Sequence, residues 1–147
     1  MKTLTHTFQI LFFLILSNTI LCQDYTWIGG NGLWNDPQMW SPNGVPQMND
    51  DVFIAKGTVH IDNGYLAEVK FIEIHSTGEL KVLSNARLEV VGNINDPGIL
   101  NYGIVEVFGK VKSKGHSGGL SIGIGFRNFG EFHIYSEGIY LRNGCSE

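Results

Sequence analysis

Short stretches of alternating apolar and polar residues recur along the chain from about residue 50, and glycines separate them. Alternation with a period of two is typical of β-strands that face a core on one side and solvent on the other. Beyond the first 22 residues, no stretch has apolar residues at i, i+3, i+4 and i+7 over three turns, as an amphipathic helix requires. The pattern therefore predicts a nearly all-β protein.

A repeated phrase that begins with glycine indicates how the strands are arranged. The phrase starts at Gly57, Gly78, Gly103 and Gly130, which are 21, 25 and 27 residues apart. The positions two and four residues after each glycine are all apolar: Val59, Leu80, Val105 and Phe132, then Ile61, Val82, Val107 and Ile134. Units of this length are typical of solenoids, in which each turn stacks on the previous one. We predict a short right-handed parallel β-helix of about four turns; a β-sandwich, whose strands also recur at regular spacing, is the alternative.

The repeat also makes finer predictions. Apolar residues four positions before each glycine should face inward as well; these are Phe53, Ile74, Ile99 and Phe126. Asn101 and Asn128 share an N-x-G bend, and we expect their amides to exchange hydrogen bonds at a corner, because stacked turns lie about 4.8 Å apart. Apolar residues at 88–91 and 139–141 predict a second wall to some turns.

Residues 1–22 have the pattern of a secretory signal peptide. A basic Lys2 precedes an apolar run, Ile10–Leu16, and a polar break leads to Cys22 and Gln23. The run is much shorter than the roughly 20 residues of a membrane-spanning helix, so no transmembrane anchor is predicted. We expect cleavage between Cys22 and Gln23 and a protein that is secreted or held at the cell surface; lipid attachment at Cys22 is the alternative.

The segment before the first repeat has a different composition. Residues 23–54 should form an amino-terminal cap and the first strand, and residues 55–147 the repeat region of the same domain. Three tryptophans, Trp27, Trp34 and Trp40, fall in this cap, where bulky rings are suited to closing the exposed end of a solenoid. We expect Asp50 and Asp51 to accept backbone N–H bonds at the bend into the first strand.

Residues 26–54 carry the motif T-W-x-G-G, W-N, W-S-P-x-G-x-P and D-D-V-x-I. This motif resembles the opening of secreted bacterial β-helix proteins of the adhesin and autotransporter-passenger kind. It is also similar to the start of the G8 domain, a glycine-rich β module of cell-surface proteins, some of which process hyaluronan. The resemblance implies an exported, modular extracellular domain that is typically one part of a longer chain.

Composition and charge exclude some partners and leave others open. A formal net charge of −4 and the lack of a basic cluster, apart from alternating lysines at 110–114, argue against nucleic-acid binding. After signal cleavage Cys145 is the remaining cysteine, so it would pair between two molecules, pair with a cysteine in sequence outside these 147 residues, or stay an unpaired thiol. A dimer is therefore possible through Cys145 or through an open carboxy-terminal coil at Ile139, Tyr140 and Leu141.

No catalytic cluster can be traced in the sequence, and no cofactor or metal motif is complete. Asp50, Asp51 and Asp62 supply oxygen ligands of the type that Ca²⁺ binds, but their spacing matches no compact calcium loop. A polysaccharide lyase that uses Asp50, Asp51 or Glu106 is a further hypothesis.

Two sets of residues are candidates for binding. One is the outward row His60, Lys81, Glu106 and His133, in which Lys81 and Glu106 should form an ion pair. The other is Tyr102 with Phe129, which precede the glycines of neighbouring turns. Exposed, these two rings would form a platform for sugar rings; buried, they would be corner packing, which we favour.

The function that these observations favour is a secreted, non-catalytic β-helix module for adhesion or for binding an extracellular polysaccharide or cell-surface protein. The alternative is an amino-terminal fragment of a larger extracellular carbohydrate-active enzyme with its catalytic residues beyond Glu147.

Overall fold

The computed structural model describes residues 22–92, 97–113, 125–135 and 138–142, with the backbone alone for residues 139–142. The predicted signal peptide before Cys22 and the predicted thiol Cys145 lie outside the described residues, as does the side chain of Tyr140. No helix in these ranges is both long enough and apolar enough to span a bilayer.

The described residues form a β-solenoid of about four turns. The strands are β1 (Asp24–Trp27), β2 (Asn31–Leu33), β3 (Trp40–Ser41), β4 (Asp51–Ile61), β5 (Leu66–Val69), β6 (Phe71–Val82), β7 (Arg87–Val90), β8 (Ile99–Asn101), β9 (Ile104–Val107), β10 (Lys110–Ser113), β11 (Phe126–Asn128), β12 (Glu131–Ile134) and β13 (Ile139–Arg142). A single turn of 3-10 helix, Pro37–Met39, precedes β3. The all-β prediction is confirmed.

The strands belong to two sheets. The larger sheet is divided by the glycine corners: its first face holds β1, β8, β11 and the starts of β4 and β6, and its second face holds β2, β9, β12 and the ends of β4 and β6. The third face is a separate sheet of β5, β7, β10 and β13. Successive turns pair in parallel on all three faces, which excludes the β-sandwich, since its sheets are antiparallel. The third face is the additional wall that the apolar residues at 88–91 and 139–141 predict.

Inward side chains form continuous columns because strand side chains alternate between faces and equivalent residues of adjacent turns stack. On the second face Val59, Leu80 and Val105 are paired in register and fully buried, and the column two residues later is buried up to Val107. Ile134 continues that column but is 49% exposed, since no further described strand covers β12. The third face contributes its own buried columns, which contain Ala67, Leu88 and Val111, and Val69 and Val90.

Glycine is required at the corners because the backbones of successive turns come into direct contact there. A Cβ atom on Gly103 would clash with the carbonyl oxygens of His75 and Gly78, and one on Gly130 would clash with the carbonyl oxygen of Gly103. These obstacles are backbone atoms of the turn below, which cannot rotate away as a side chain would. The periodic glycines therefore mark the points of backbone contact between turns.

The predicted inward slot four residues before each glycine is wrong as a single column. Ile74 pairs with Ile54 and Asn101, whereas Ile99 pairs with Ile72 and Phe126. The corner between the last inward residue and the glycine differs in length: residues 55–56 in the first turn, 75–77 in the second, and one residue in each of the next two. Counting back from the glycine therefore mixes columns, and Phe53 lies on the outer face beside Glu73.

The first strands continue the solenoid by one more partial turn. β1 and β2 pair in parallel with the start and end of β4, and β3 covers the edge of β1 in the antiparallel direction. Trp27, Trp34 and Trp40 are buried here, with ring centroids 4.9 Å (Trp27–Trp40) and 5.1 Å (Trp34–Trp40) apart. The indole N–H of Trp40 donates to the carbonyl oxygen of Trp34 at 2.8 Å. An exposed sheet edge and the core behind it are thus covered by the same segment.

Candidate functional site

The two single-residue corners, Tyr102 and Phe129, present aromatic rings to solvent. Their rings are stacked with centroids 5.1 Å apart and planes 11° apart. Tyr102 is 44% exposed and Phe129 is 67% exposed, so the favoured interpretation of buried corner packing is wrong. With only one residue between the inward asparagine and the glycine, the side chain has no room to turn into the core.

An asparagine ladder holds this corner in place. Asn101 is fully buried, and its amide nitrogen donates to the side-chain oxygen of Asn128 at 2.7 Å and to the carbonyl oxygen of Glu131 at 2.9 Å. Its side-chain oxygen accepts the N–H of Gly103 at 3.0 Å. The predicted exchange of amide hydrogen bonds is therefore confirmed. Because the ladder fixes both backbones, it also fixes the spacing of the two stacked rings.

The stacked rings form one end of a groove on the first face. The groove has a volume of about 420 Å³, within the range of ordinary ligand sites. A second aromatic pair lies at the other end, where Phe53 and Phe71 meet edge to face with centroids 6.1 Å apart. The lining residues are Asp51, Phe53, Lys70, Phe71, Pro97, Leu100, Tyr102, Arg127 and Phe129.

Charged side chains accompany both aromatic pairs. Near Phe71, the ammonium of Lys70 lies 3.0 Å from one carboxylate oxygen of Asp51 and 3.1 Å from the other. The hydrogen bond that Lys70 donates to Asp51 raises the pKa of Lys70, so its ammonium stays protonated at neutral pH. Near Phe129, Arg127 is exposed and follows Leu100 on the outer row. The groove thus combines flat apolar surfaces with groups that can hydrogen-bond.

The side chains of the two adjacent acids, Asp50 and Asp51, lie in different environments. Asp50 is only 6% exposed, and its carboxylate accepts the N–H of Gln23 at 3.1 Å and that of Gln47 at 2.7 Å. That is the bend role expected from the sequence, whereas Asp51 instead pairs with Lys70 in the groove. Burial, followed by the nearby Asp50 carboxylate, raises the pKa of Tyr25.

The residues considered for Ca²⁺ and for a lyase are not brought together. Asp62 follows the last residue of β4, whereas Asp51 is its first, and the carboxylate of Asp62 accepts the N–H of Asn63. Glu106 lies in β9 on the second face. Among the residues that the structure describes, no group of three or more His, Cys, Asp or Glu side chains is arranged to hold a metal ion.

The predicted outward row of the second face exists in register. His60 pairs with Lys81, Lys81 with Glu106, and Glu106 with His133, so the two histidines lie at opposite ends. Lys81 lies 2.8 Å from Glu106, which confirms the predicted ion pair, and 3.0 Å from Glu79.

Further contacts extend this row into a surface network. Tyr135 donates to Glu106 at 2.8 Å, and His133 lies 3.0 Å from Glu131. The hydrogen bonds from Lys81 and Tyr135 lower the pKa of Glu106, and those to Glu106 and Glu79 raise the pKa of Lys81. Lys81, Glu106 and His133 of the row thus each have a partner within the protein.

Several residues of the groove do not stand out in the sequence. The repeat pattern predicts that Phe53 faces the core, and it gives no signal for Lys70, Phe71, Leu100 and Arg127. They come together only through the register of the first face, in which Phe53, Glu73, Leu100 and Arg127 form one outer row. The sequence does contain one signal for this row. Each of its residues alternates with residues that face the core, which places it on the outer face.

A second stacked pair was also missed. Phe108 and Tyr135 follow β9 and β12, and their ring centroids are 4.1 Å apart with planes 3° apart. They lie at the opposite end of the second face from Tyr102 and Phe129 and do not line the groove. The N-x-G motif marks the Tyr102–Phe129 pair in the sequence, whereas no comparable motif marks the Phe108–Tyr135 pair.

Comparison with known proteins gives one match. Residues 26–104 match the family model described as a domain of unknown function, DUF8693, which covers more than half of the 147 residues. Neither curated proteins nor solved structures gave a match. The matched range ends one residue into β9 and includes Tyr102 but not Arg127 or Phe129.

Proposed function

Since the chain belongs to the DUF8693 family, whose description assigns no activity, we propose from the groove itself that it is a non-catalytic module that binds a saccharide chain. The observation that carries this proposal is the exposed Tyr102–Phe129 stack at one end of the groove. Two large rings held in water without a cover are unusual for a monomeric surface, and such patches mark binding sites. A sugar ring has apolar C–H faces that can pack on the flat outer side of an aromatic ring.

Three features support a saccharide over a purely apolar ligand. The groove is partly open to solvent, which lets a bound chain extend beyond it. Polar groups, the Asp51–Lys70 pair and Arg127, stand beside the aromatic surfaces, where they can bond to ring hydroxyls. The Asn101–Asn128 ladder fixes the rings before a ligand arrives, so little side-chain freedom is lost on binding.

The role of the acidic residues supports binding over catalysis. Acid–base cleavage of a glycan requires two groups that converge on one bond. Asp50 is buried and bonded to backbone amides, Asp51 is paired with Lys70, and Glu106 lies on the second face. Among the groove residues that the structure describes, Asp51 is therefore the one carboxylate.

The proposal includes an extracellular location, secreted or at the cell surface. It rests on the signal-peptide pattern of residues 1–22 and on the resemblance of residues 26–54 to exported β-helix proteins. The expected amino terminus of the exported protein is Gln23. Mass measurement of the protein recovered from the growth medium and from membranes checks the location, and recovery from the cytoplasm alone with Met1 intact would contradict it.

Affinity electrophoresis in gels that contain a polysaccharide tests the binding function. We expect at least one of a panel of acidic and neutral polysaccharides to retard the protein, and Phe129→Ala to weaken that retardation about tenfold, because one face of the stack is lost. Tyr135→Ala is the matched control, since Tyr135 is also stacked and is 41% exposed but lies outside the groove. Equal weakening by both variants, or no retardation by any polysaccharide, would contradict the proposal.

A further inference from the structure

Two features outside the described function carry an inference, the unpaired cation of the groove and the buried carboxylate beside the predicted cleavage site. The first rests on the proposed saccharide binding and names the class of ligand.

The charges of the groove are not equivalent. Lys70 is neutralised by Asp51, whose carboxylate oxygens both lie within 3.1 Å of its ammonium. Arg127 has no ion pair or hydrogen bond with any side chain that the structure describes. The nearest acid on its row is Glu73, two strands away with Leu100 between them, and Glu73 is 3.2 Å from His75. Among the residues that the structure describes, the groove therefore carries one positive charge without a partner, in a protein whose formal net charge is −4.

The position of Arg127 relates that charge to the stacked rings. Arg127 and Phe129 lie two residues apart and both line the groove, so the guanidinium and the ring border the same cavity. A sugar ring packed on Phe129 would hold its ring substituents within reach of the guanidinium. The planar fork of arginine can bond a carboxylate with two parallel N–H donors, which a hydroxyl cannot match.

We propose that the groove selects saccharides whose rings carry an oxyanion, with Arg127 as the residue that recognises it. A uronic-acid carboxylate and a sulfate ester share this chemistry, and the test includes an arm for each. A charge-assisted bond of this kind is worth about tenfold or more in affinity.

Titration calorimetry of the purified protein with three probes tests this proposal: a galacturonate tetrasaccharide, a sulfated galactose tetrasaccharide and the unmodified galactose tetrasaccharide. We expect one anionic probe to bind at least tenfold more tightly than the neutral one, and Arg127→Gln to remove that preference. Arg127→Lys should retain part of it, since a point charge replaces the fork. Lys110→Gln on the exposed side of the third face is the control, because it changes the net charge equally.

Each other outcome overturns a distinct statement. Equal affinity for neutral and anionic probes, or a preference that survives Arg127→Gln, overturns the selectivity and leaves saccharide binding intact. Equal losses in Arg127→Gln and Lys110→Gln show a general charge effect and also overturn it. Failure of all three probes to bind, in the wild type as in Phe129→Ala, overturns the proposed function itself.

The second inference concerns Asp50, whose carboxylate is buried and has no cation partner among the described residues. Its two oxygens accept backbone N–H groups from Gln23 and Gln47. A buried charge compensated only by neutral donors is costly to maintain. Gln23 is also the first residue after the predicted cleavage position.

We propose that signal cleavage completes this site. Hydrolysis of the Cys22–Gln23 peptide bond leaves a carboxylate on Cys22 and a free α-amino group on Gln23, which takes up a proton at neutral pH. The nitrogen that lies 3.1 Å from Asp50 would then be an ammonium, and a hydrogen bond from a neutral amide to the carboxylate would become an ion pair. The cap would be stabilised only after export.

Urea unfolding of two versions of the protein tests this second proposal. One begins at Gln23 after processing, and the other carries a single extra glycine before Gln23, so that the net charge is unchanged but the nitrogen of Gln23 is an amide. We expect the unfolding equilibrium constant to be about tenfold smaller for the protein that begins at Gln23. Equal constants, or a mature amino terminus other than Gln23, would overturn it.

Discussion

The aromatic residues of the cap and those of the third and fourth corners are both clustered, yet their surroundings are opposite. Trp27, Trp34 and Trp40 are buried and meet edge to face, with an indole N–H bonded to a carbonyl oxygen. Tyr102 and Phe129 lie parallel and project into solvent. Edge-to-face packing fills a volume from several sides, whereas parallel stacking leaves one flat face free. The cap therefore stabilises the fold, and the corner is available to a ligand.

Replacing a buried indole should have the largest effect on stability. Trp40→Ala removes the ring that contacts Tyr25, Trp27 and Trp34, and we expect a loss of about 3–5 kcal/mol in the free energy of unfolding. Urea denaturation monitored by circular dichroism measures it. A loss of less than about 1 kcal/mol would show that the cap contributes little to the fold.

Disrupting the Asn101–Asn128 ladder beneath the exposed rings should have the second-largest effect on stability. Asn101→Leu keeps the branched shape of the side chain but leaves the N–H of Gly103 and the side-chain oxygen of Asn128 without their buried partner. We expect a loss of about 1–3 kcal/mol and weaker saccharide binding, because the two rings lose their fixed spacing. Asn63→Ala, in the exposed turn after β4, is the control. Unchanged stability in Asn101→Leu would mean that water replaces the amide.

The surface network of the second face should contribute at most about 1 kcal/mol. The folded-state pKa of Glu106 is lowered, so its stabilisation is present above the unfolded value of 4.5 and is lost as pH falls through the folded value. We expect Glu106→Gln to be less stable than the wild type at neutral pH and equally stable at strongly acidic pH. Unfolding curves at both pH values, with Glu68→Gln on the third face as the control, check this. A difference that persists in acid would contradict the assignment.

Removing an exposed ring should affect stability least. Phe129→Ala should change the free energy of unfolding by no more than about 0.5 kcal/mol, because the side chain is 67% exposed and touches mainly Tyr102. The same variant is expected to weaken polysaccharide binding. A loss of stability similar to that of Trp40→Ala would erase the difference between the two aromatic regions.

The sequence predicted the solenoid because two independent constraints recur in it. Glycine is needed where turns touch, and the residues two and four positions later must be apolar, so both signals survive in every turn. The cap was recognised by its three tryptophans. The repeated N-x-G motif was sufficient to predict the Asn101–Asn128 contact.

The groove was not predictable in the same way. Corner length varies from three residues in the second turn to one in the third, and the alternation on either side does not reveal this number. A change of one residue in corner length moves the preceding side chains to the other face. Counting back from the glycine therefore predicts that Phe53 lies in the core. Lys70 and Arg127 are far apart in sequence and line the same groove only because the turns stack.

The most direct test of the account is the affinity of the Tyr102→Ala/Phe129→Ala double variant for whichever of the galacturonate and sulfated galactose tetrasaccharides the wild type binds more tightly, measured by titration calorimetry beside the wild type. The account predicts binding by the wild type and none by the double variant, whose urea unfolding should stay within about 1 kcal/mol of the wild type. Wild-type affinity in the double variant would contradict it, as would the absence of binding in both proteins.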